Sequence, residues 1–521
     1  MEILDNKAVL IRTRNPGKYT VIPKSRVIED HGNGGYTVAV YWGLDEMRVL
    51  KNLGVKNTPS PISRKYDWPG RYIPMAHQIE TASFLTLHRR AFCFNEPGTG
   101  KTLSALWAAD YLMKRGEIRR VLILCPLSIM HAAWIGDINN SVMHRSAVVA
   151  HHSSAMRRVE LVQGDYELVI ANYEGLNLIA DEVNNDGRFD LVIVDEANAY
   201  KNPSTQRWKS LAKIIHPHTY LWMMTGTPAS QTPVDAYGLA KLVNPSGVPK
   251  FATAWRDKVM NKITAFKWAP KPEAKNLVHE VLQPAIRFTK EQCLDLPPVV
   301  TVTRDVPMSP QQAKYYKLLK EQMLFQTAGE TISAVNAGVA VSKLLQISAG
   351  AAYTDEKETV EFDASPRMKV LMEILEETDR KVIIFAMFRS SITTITAHLT
   401  KNHIPNAQIH GDVNATKRGH IINDFQNTDA VRVLVMQPQA TAHGITLTAA
   451  DTVIFYGPLM SVEMYLQCIA RADRKGQNSD KVTVVHIQSS PIEVRMFKAM
   501  AGKVGEHALL VGLFNQEIKN N

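Results

Sequence analysis

The sequence predicts an α/β protein of two tandem parallel-sheet lobes with helical insertions, preceded by a small β-rich module. Three observations carry that prediction. From about residue 70, short apolar runs alternate with amphipathic helical stretches, and the same alternation restarts after about residue 360. Residues 1–65 have a different texture of short strands and turns. A chain of 521 residues is also too long for one hydrophobic core. The expected parts are an accessory module at 1–65, a first lobe with a helical protrusion at 66–300, a helical linker or protrusion at 301–360, and a second lobe at 361–521.

In the module, Lys7–Arg14, Tyr19–Pro23 and Tyr36–Trp42 read as strands, the last with Tyr36, Val38, Val40 and Trp42 on one face. Residues 31–35 (HGNGG) form a turn cluster, Asp45–Leu53 a short helix, and Asn57–Pro61 a linker. The first lobe has strand candidates at Ala91–Phe94, Val121–Cys125, Leu168–Ala171 and Leu191–Val194. The second has them at Lys381–Phe385, Val431–Val435, Thr452–Phe455 and Val482–His486. Continuous apolar strands separated by helices indicate parallel sheets covered on both faces. The stretch 231–360 reads as mainly helical, and no hairpin wedge is evident.

Composition narrows the function classes. No apolar run is long enough to span a bilayer, and the N-terminus lacks a signal-peptide pattern, so no membrane partner and a cytoplasmic location are expected. Cys93, Cys125, Cys293 and Cys468 are widely spaced, which disfavours zinc and fits buried, reduced thiols. The formal charge of +10 permits a polyanionic partner without requiring one.

The chemistry concentrates in two segments. Phe92-Cys93-Phe94 leads into Asn95-Glu96-Pro97-Gly98-Thr99-Gly100-Lys101-Thr102 and then a helix. In that strand–loop–helix order, glycines let backbone N–H groups wrap phosphates, and the helix start adds a favourable dipole. Glu96 to Thr102 would bind nucleotide, with Lys101 on the β- and γ-phosphates and Thr102 on Mg2+. The usual first glycine of such a loop is Asn95 here. About 90 residues later, the apolar strand at 191–194 ends in Asp195-Glu196. Asp195 suits the metal shell and Glu196 suits orienting an attacking water, so a nucleoside triphosphate with Mg2+ is expected, and the family resemblance below makes that nucleotide ATP.

Together with further segments along the chain, these motifs resemble superfamily 2 helicases and specifically the Snf2 family, over about residues 72–503. The loop NEPGTGKT is close to the family's DEMGLGKT. Residues 74–78 (PMAHQ) resemble the adenine-reading motif, with Gln78 on the adenine edge and Tyr72 available to stack. Residues 121–128 with Trp134, then 170–174, resemble the next motifs. Asp195-Glu196-Ala197-Asn198 departs from DEAH at Asn198, and the adjoining Tyr200-Lys201-Asn202 matches the family again. Thr225-Gly226-Thr227-Pro228 matches motif III, and Arg287, Lys290 and Leu296-Pro297-Pro298 fall in family order. The second lobe supplies 381–388, His410-Gly411-Asp412, Gly444–Asp451 and Gln467–Gln477.

The resemblance implies two RecA-like lobes and an ATP-driven DNA translocase, from a bacterium or phage, acting on double-stranded or forked DNA as a monomer. It implies catalytic roles for Lys101, Glu196, Arg471 and Arg474. Arg471 and Arg474, three apart, are expected on one helix face as arginine fingers. Gly444 would join the nucleotide set, and Ser128, Asn172, Tyr173, Arg389 and Thr448 would contact DNA. Pro491–Lys503 resembles a brace helix, and the N-terminal module could receive a protein partner. The alternatives are a branch-migrating, annealing or strand-separating helicase, and a nucleotide-dependent DNA-binding module with little turnover.

Overall fold

The computed structural model describes residues 1–226, 232–264, 268–293, 298–327, 334–353, 359–441, 445–474, 476–477 and 479–502. The chain forms two compact units, Met1–Cys293 and Leu294–Asn521. No helix among the described residues is long and apolar enough to cross a membrane.

Unit 1 opens with an antiparallel sheet of β1 (Glu2–Leu4), β2 (Ala8–Thr13), β3 (Ser25–Asp30) and β4 (Tyr36–Tyr41), in the order β1-β2-β4-β3. Alternation sets its buried face: Val9 and Ile11 of β2, and Val38 and Val40 of β4, all point into the core with Trp42. Residues 19–23 are not a strand. Gly17–Thr20 forms a short helix, Pro23 has no N–H to give a ladder, and the strand begins at Ser25.

The expected linker at 57–61 is instead a pinned connection. The Pro59 carbonyl accepts from Trp42 Nε1 at 2.8 Å, and Ser60, fully buried, meets Thr86 Oγ1 at 2.8 Å. From the Leu44–Asn52 helix, Arg48 donates to the Thr86 carbonyl at 2.8 Å, Glu117 at 2.7 Å and Tyr220 OH at 3.0 Å. Trp42 and Leu50 share one hydrophobic core with Leu85, Trp107 and Ile123. The N-terminal module is therefore fused to the sheet behind it.

That sheet contains β5 (Arg90–Cys93), β6 (Arg120–Cys125), β7 (Ala147–Val149), β8 (Leu168–Asn172), β9 (Phe189–Val194) and β10 (Tyr220–Met224). A small antiparallel hairpin comes next, β11 (Met260–Lys262) with β12 (Trp268–Pro270), and then β13 (Ala285–Ile286). The seven-stranded order is β13-β5-β10-β9-β6-β8-β7, with parallel pairing throughout. Successive residues feed two cores: Cys93, Ile123, Ile193 and Trp222 on one face, Phe92, Leu122, Val192 and Met223 on the other. Burial on both faces is why these strands read as unbroken apolar runs.

Unit 2 has β14 (Val299–Asp305), a hairpin of β15 (Ala351–Tyr353) and β16 (Thr359–Glu361), then β17 (Lys381–Phe385), β18 (Asn406–Ile409), β19 (Val433–Met436), β20 (Ala450–Phe455) and β21 (Val482–Gln488). Its six-stranded order is β14-β21-β20-β17-β19-β18, again parallel. The C-terminal helix Pro491–Ala501 is held by a buried ion pair in which Arg367 meets Glu493 at 2.6 Å.

The stretch 231–360 does carry helices at Ala236–Val243, Ala252–Val259, Ala274–Val281, Pro310–Thr327 and Ala334–Ala349. It also contributes β13 and β14, one edge strand to each large sheet, and both hairpins. These two short hairpins, β11–β12 and β15–β16, are local features that the sequence reading did not single out. Cys93, Cys125 and Cys468 are buried, and burial pushes the Cys93 thiol up to about 11, but Cys293 is only partly buried.

Candidate nucleotide site

In unit 1 the strand order brings three motifs side by side. β5 ends in the phosphate loop, its neighbour β10 in Thr225-Gly226, and the next strand β9 in Asp195-Glu196. Because the pairing is parallel, all three emerge from the same sheet edge, the carboxyl end where α/β sheets bind ligands.

The loop's shape is set by its glycines. Gly98 (φ 91°) and Gly100 (φ 78°) are left-handed, and Gly100 opens the helix Lys101–Lys114. Lys101 Nζ donates to the Asn95 carbonyl at 2.8 Å, and Thr99 Oγ1 to the Glu96 carbonyl at 2.9 Å. Gly226 packs directly on this loop: a Cβ there would sit 2.7 Å from Pro97 Cδ. Thr225, fully buried, donates its N–H to the Cys93 carbonyl at 3.0 Å.

Asp195 is 8% exposed and held at both carboxylate oxygens. Oδ1 accepts from the Glu196 N–H at 3.0 Å, and Oδ2 from Trp134 Nε1 at 3.2 Å. Its N–H donates to the Leu124 carbonyl at 2.8 Å, and its carbonyl accepts from Tyr173 OH at 2.6 Å. Glu196 has φ 48°, a left-handed conformation that costs a non-glycine residue about 1–2 kcal/mol. A hard oxygen donor fixed at a strand end fits a hard divalent cation.

Several expected residues sit elsewhere than an open pocket. Gln78 is buried: its Oε1 accepts from the Met75 N–H at 2.9 Å and its Nε2 reaches the Thr99 carbonyl at 3.4 Å. Asn172 and Tyr173 are also buried, Asn172 against Arg158 and Glu174, and Tyr173 behind the acid motif, where burial raises its phenol well above the usual range. Tyr72, half-buried, lies beneath the Arg71 guanidinium. Gly444 and residues 227–228 and 296–297 lie outside the described residues, as does the side chain of Ser128.

In unit 2 the helix Val462–Ala472 ends before Arg474, so Arg471 and Arg474 do not share a helix face. They converge differently. Arg471 Nη1 donates to the Ile445 carbonyl at 3.4 Å and Arg474 Nη1 to Thr446 Oγ1 at 3.0 Å, which ties the arginines to the 445–447 segment. The Leu447 N–H closes onto the Arg471 carbonyl at 2.9 Å. Arg389 is exposed and paired with Asp412 at 2.5 Å, while Thr448 accepts from Gln426 Nε2 at 3.4 Å.

A sequence reading overlooks the supporting shell. Asn95 is fully buried, with Nδ2 on Thr81 Oγ1 at 2.8 Å and Oδ1 accepting from the Phe288 N–H at 3.0 Å. His77, also buried, meets the Thr99 carbonyl at 2.8 Å.

The SNF2-related domain model matches residues 77–350, more than half of the chain. The chain belongs to the SNF2-related family. The helicase conserved C-terminal domain model matches residues 366–476, so an SNF2-related domain is succeeded by a superfamily 2 helicase C-terminal domain. Similar proteins include the mouse chromodomain-helicase-DNA-binding protein 1-like, 24% identical over 88% of this chain and 53% of that protein. The CHD3-type chromatin-remodeling factor PICKLE of Arabidopsis thaliana is 23% identical over 84% of this chain and 34% of its own length. The putative protein p41 of Acyrthosiphon pisum secondary endosymbiont phage 1 is 21% identical over 77% of this chain and 88% of its own. This SNF2-related chain thus spans about a third to a half of the length of the PICKLE and mouse proteins. Among solved structures it is similar to the Sulfolobus solfataricus SWI2/SNF2 ATPase core in complex with dsDNA, 20% identical with a TM-score of 0.42, over 87% of this chain and 96% of that one.

Proposed function

We propose that this SNF2-related chain is a DNA-stimulated ATPase that translocates on double-stranded DNA. One observation carries the reading: the phosphate loop, the acid pair and Thr225-Gly226 leave adjacent parallel strands at one sheet edge, with Gly226 seated against Pro97.

The backbone of residues 96–102 would wrap the phosphates, and Lys101 would move its ammonium from the Asn95 carbonyl to the β- and γ-phosphates. Mg2+ would be held by Thr102 and Asp195, supplying charge neutralisation at the phosphates. Glu196 would orient the attacking water and accept its proton. Arg471 and Arg474 would supply the cation that stabilises the transition state, with Gly444 beside the nucleotide. Gln78 would set the loop that receives the nucleotide as well as face the adenine. DNA contacts are proposed at Ser128, Arg389 and Thr448. They would act through phosphates, which gives grip with weak sequence preference. The β3 edge, exposed along residues 26–30, is proposed as the place for a protein partner, and the enzyme as a monomer of 58.2 kDa.

Displacement of a third strand from a triplex by the ATP-fuelled enzyme tests translocation. Release that needs ATP and intact Lys101 is expected; ATP turnover without release would sink the translocase reading. The β11–β12 hairpin favours one second reading, strand separation, which unwinding of a forked duplex would reveal.

A further inference from the structure

The last segment of unit 1 before Cys293 runs beside the phosphate-loop strand and continues past its end. The Phe92 N–H donates to the Pro284 carbonyl at 2.9 Å, Phe94 to Ile286 at 2.8 Å, and Glu96 to Phe288 at 3.0 Å. Every second residue of 92–96 thus gives its amide to 284–288, as in a parallel ladder. The return bonds at the loop end come from side chains. Asn95 Oδ1 accepts from the Phe288 N–H at 3.0 Å, and Glu96 Oε2 from the Lys290 N–H at 3.1 Å. The first two loop positions therefore hold the exit segment directly.

Asn95 is the better placed of the two because it is fully buried and both its side-chain amide atoms and its carbonyl have partners. The assignment of its amide is forced. The Thr81 hydroxyl gives its hydrogen to the His77 carbonyl at 2.7 Å, so it can only accept from Asn95 Nδ2, which leaves Oδ1 for Phe288. The Asn95 carbonyl meanwhile receives Lys101 Nζ at 2.8 Å. When phosphate takes the Lys101 ammonium, that carbonyl loses its partner, and the change falls on the residue whose side chain grips Phe288.

We propose that Asn95 is a positioning residue that passes the occupancy of the phosphate loop to the exit segment 284–290, through its bond to the Phe288 amide. This rests on the ATP-site reading above. It also accounts for an asparagine where generic phosphate loops have glycine: the position grips the chain's own backbone and not the phosphate.

The test uses the full chain as wild type, Thr81→Val, Asn95→Leu and Asn95→Asp. Hydrogen exchange of the 284–293 peptide is tracked with and without ATPγS, together with the ratio of ATP turnover with and without duplex DNA. Wild type and Thr81→Val should show exchange at Phe288 and Lys290 that shifts when ATPγS binds. In Asn95→Leu, exchange at Phe288 should be fast and indifferent to ATPγS, and DNA stimulation should fall at least about fivefold, the lower end of typical coupling. Asn95→Asp keeps the acceptor for Phe288, and its second oxygen can accept the Thr81 hydroxyl once that hydrogen turns from the His77 carbonyl, so nucleotide-dependent exchange should be restored. Nucleotide-dependent exchange surviving in Asn95→Leu overturns the proposal. So does Asn95→Asp behaving like Asn95→Leu, or Thr81→Val losing the response equally, since the role would then be general packing. Wild type that binds ATPγS with no change at 284–293 sinks this proposal alone; wild type that binds none sinks the ATP-site reading and the proposal together.

Discussion

Replacing Gly226 by alanine tests whether the loop after β10 and the phosphate loop move as one body. The added Cβ would lie 2.7 Å from Pro97 Cδ and 3.2 Å from Cγ. Carbon atoms at rest are about 3.5–4.0 Å apart, so roughly 1 Å must be found. Pro97 is a closed ring with no rotamer to escape into, so the strain falls on the backbone. Overpacking of this kind costs about 1–3 kcal/mol, and about 2 °C of Tm per kcal/mol for a large domain. A displacement of about 1 Å at a catalytic loop costs on the order of 100-fold in rate. Gly226→Ala should therefore lower Tm by a few degrees and kcat for ATP by more than tenfold. Adding Pro97→Ala, which deletes Cγ and Cδ, should return most of both. Calorimetry and steady-state ATP hydrolysis measure the pair. Unchanged kcat in Gly226→Ala, or no relief from Pro97→Ala, refutes the contact as the link.

Buried groups give three further expected outcomes. Trp134→Phe removes the Nε1 donor from Asp195 Oδ2, a bond to a carboxylate worth about 1.5–3 kcal/mol; kcat should drop about tenfold, and an unchanged kcat would contradict a positioning role. Arg367→Ala leaves Glu493 charged and buried, so urea unfolding should show a loss of about 3–5 kcal/mol, whereas the double change Arg367→Leu with Glu493→Leu should lose less; equal losses would contradict the account. Burial holds the His486 imidazole at about 4 against 6.5 for a free one. The unfolded chain takes its proton first, so this contribution is fully present above pH 6.5 and fades as pH falls toward 4, by about 3 kcal/mol. His486→Gln should flatten the fall in unfolding free energy between those pH values; an unaltered slope would exclude His486 as its source.

Much of this arrangement was legible in the sequence because both sheets are buried on two faces. Val121–Cys125 and Lys381–Phe385 announce themselves as apolar runs, and their order around a glycine loop and an Asp-Glu pair points to one site. β14 escaped notice because its side chains are mostly exposed at a sheet edge, although Val299-Val300-Thr301-Val302-Thr303 is a β-branched run that favours a strand. The two-residue β13 is too short to carry any pattern. Helical spacing pairs Arg471 with Arg474, but the helix stops at Ala472 and their meeting place is the 445–447 segment, far off in sequence. The bonds of Trp134 to Asp195 and of Asn95 to Phe288 are not legible in the sequence because they join residues 61 and 193 apart, a distance no local pattern spans. The fused N-terminal module was likewise hidden in long-range contacts such as Arg48 to Tyr220.

The central claim is most directly tested by ATP turnover of the full chain with and without duplex DNA, in wild type and in Lys101→Ala. The account predicts turnover that rises severalfold on adding DNA and is abolished, in both conditions, by the loss of Lys101. Turnover in Lys101→Ala equal to wild type, or no turnover in wild type under either condition, would contradict it.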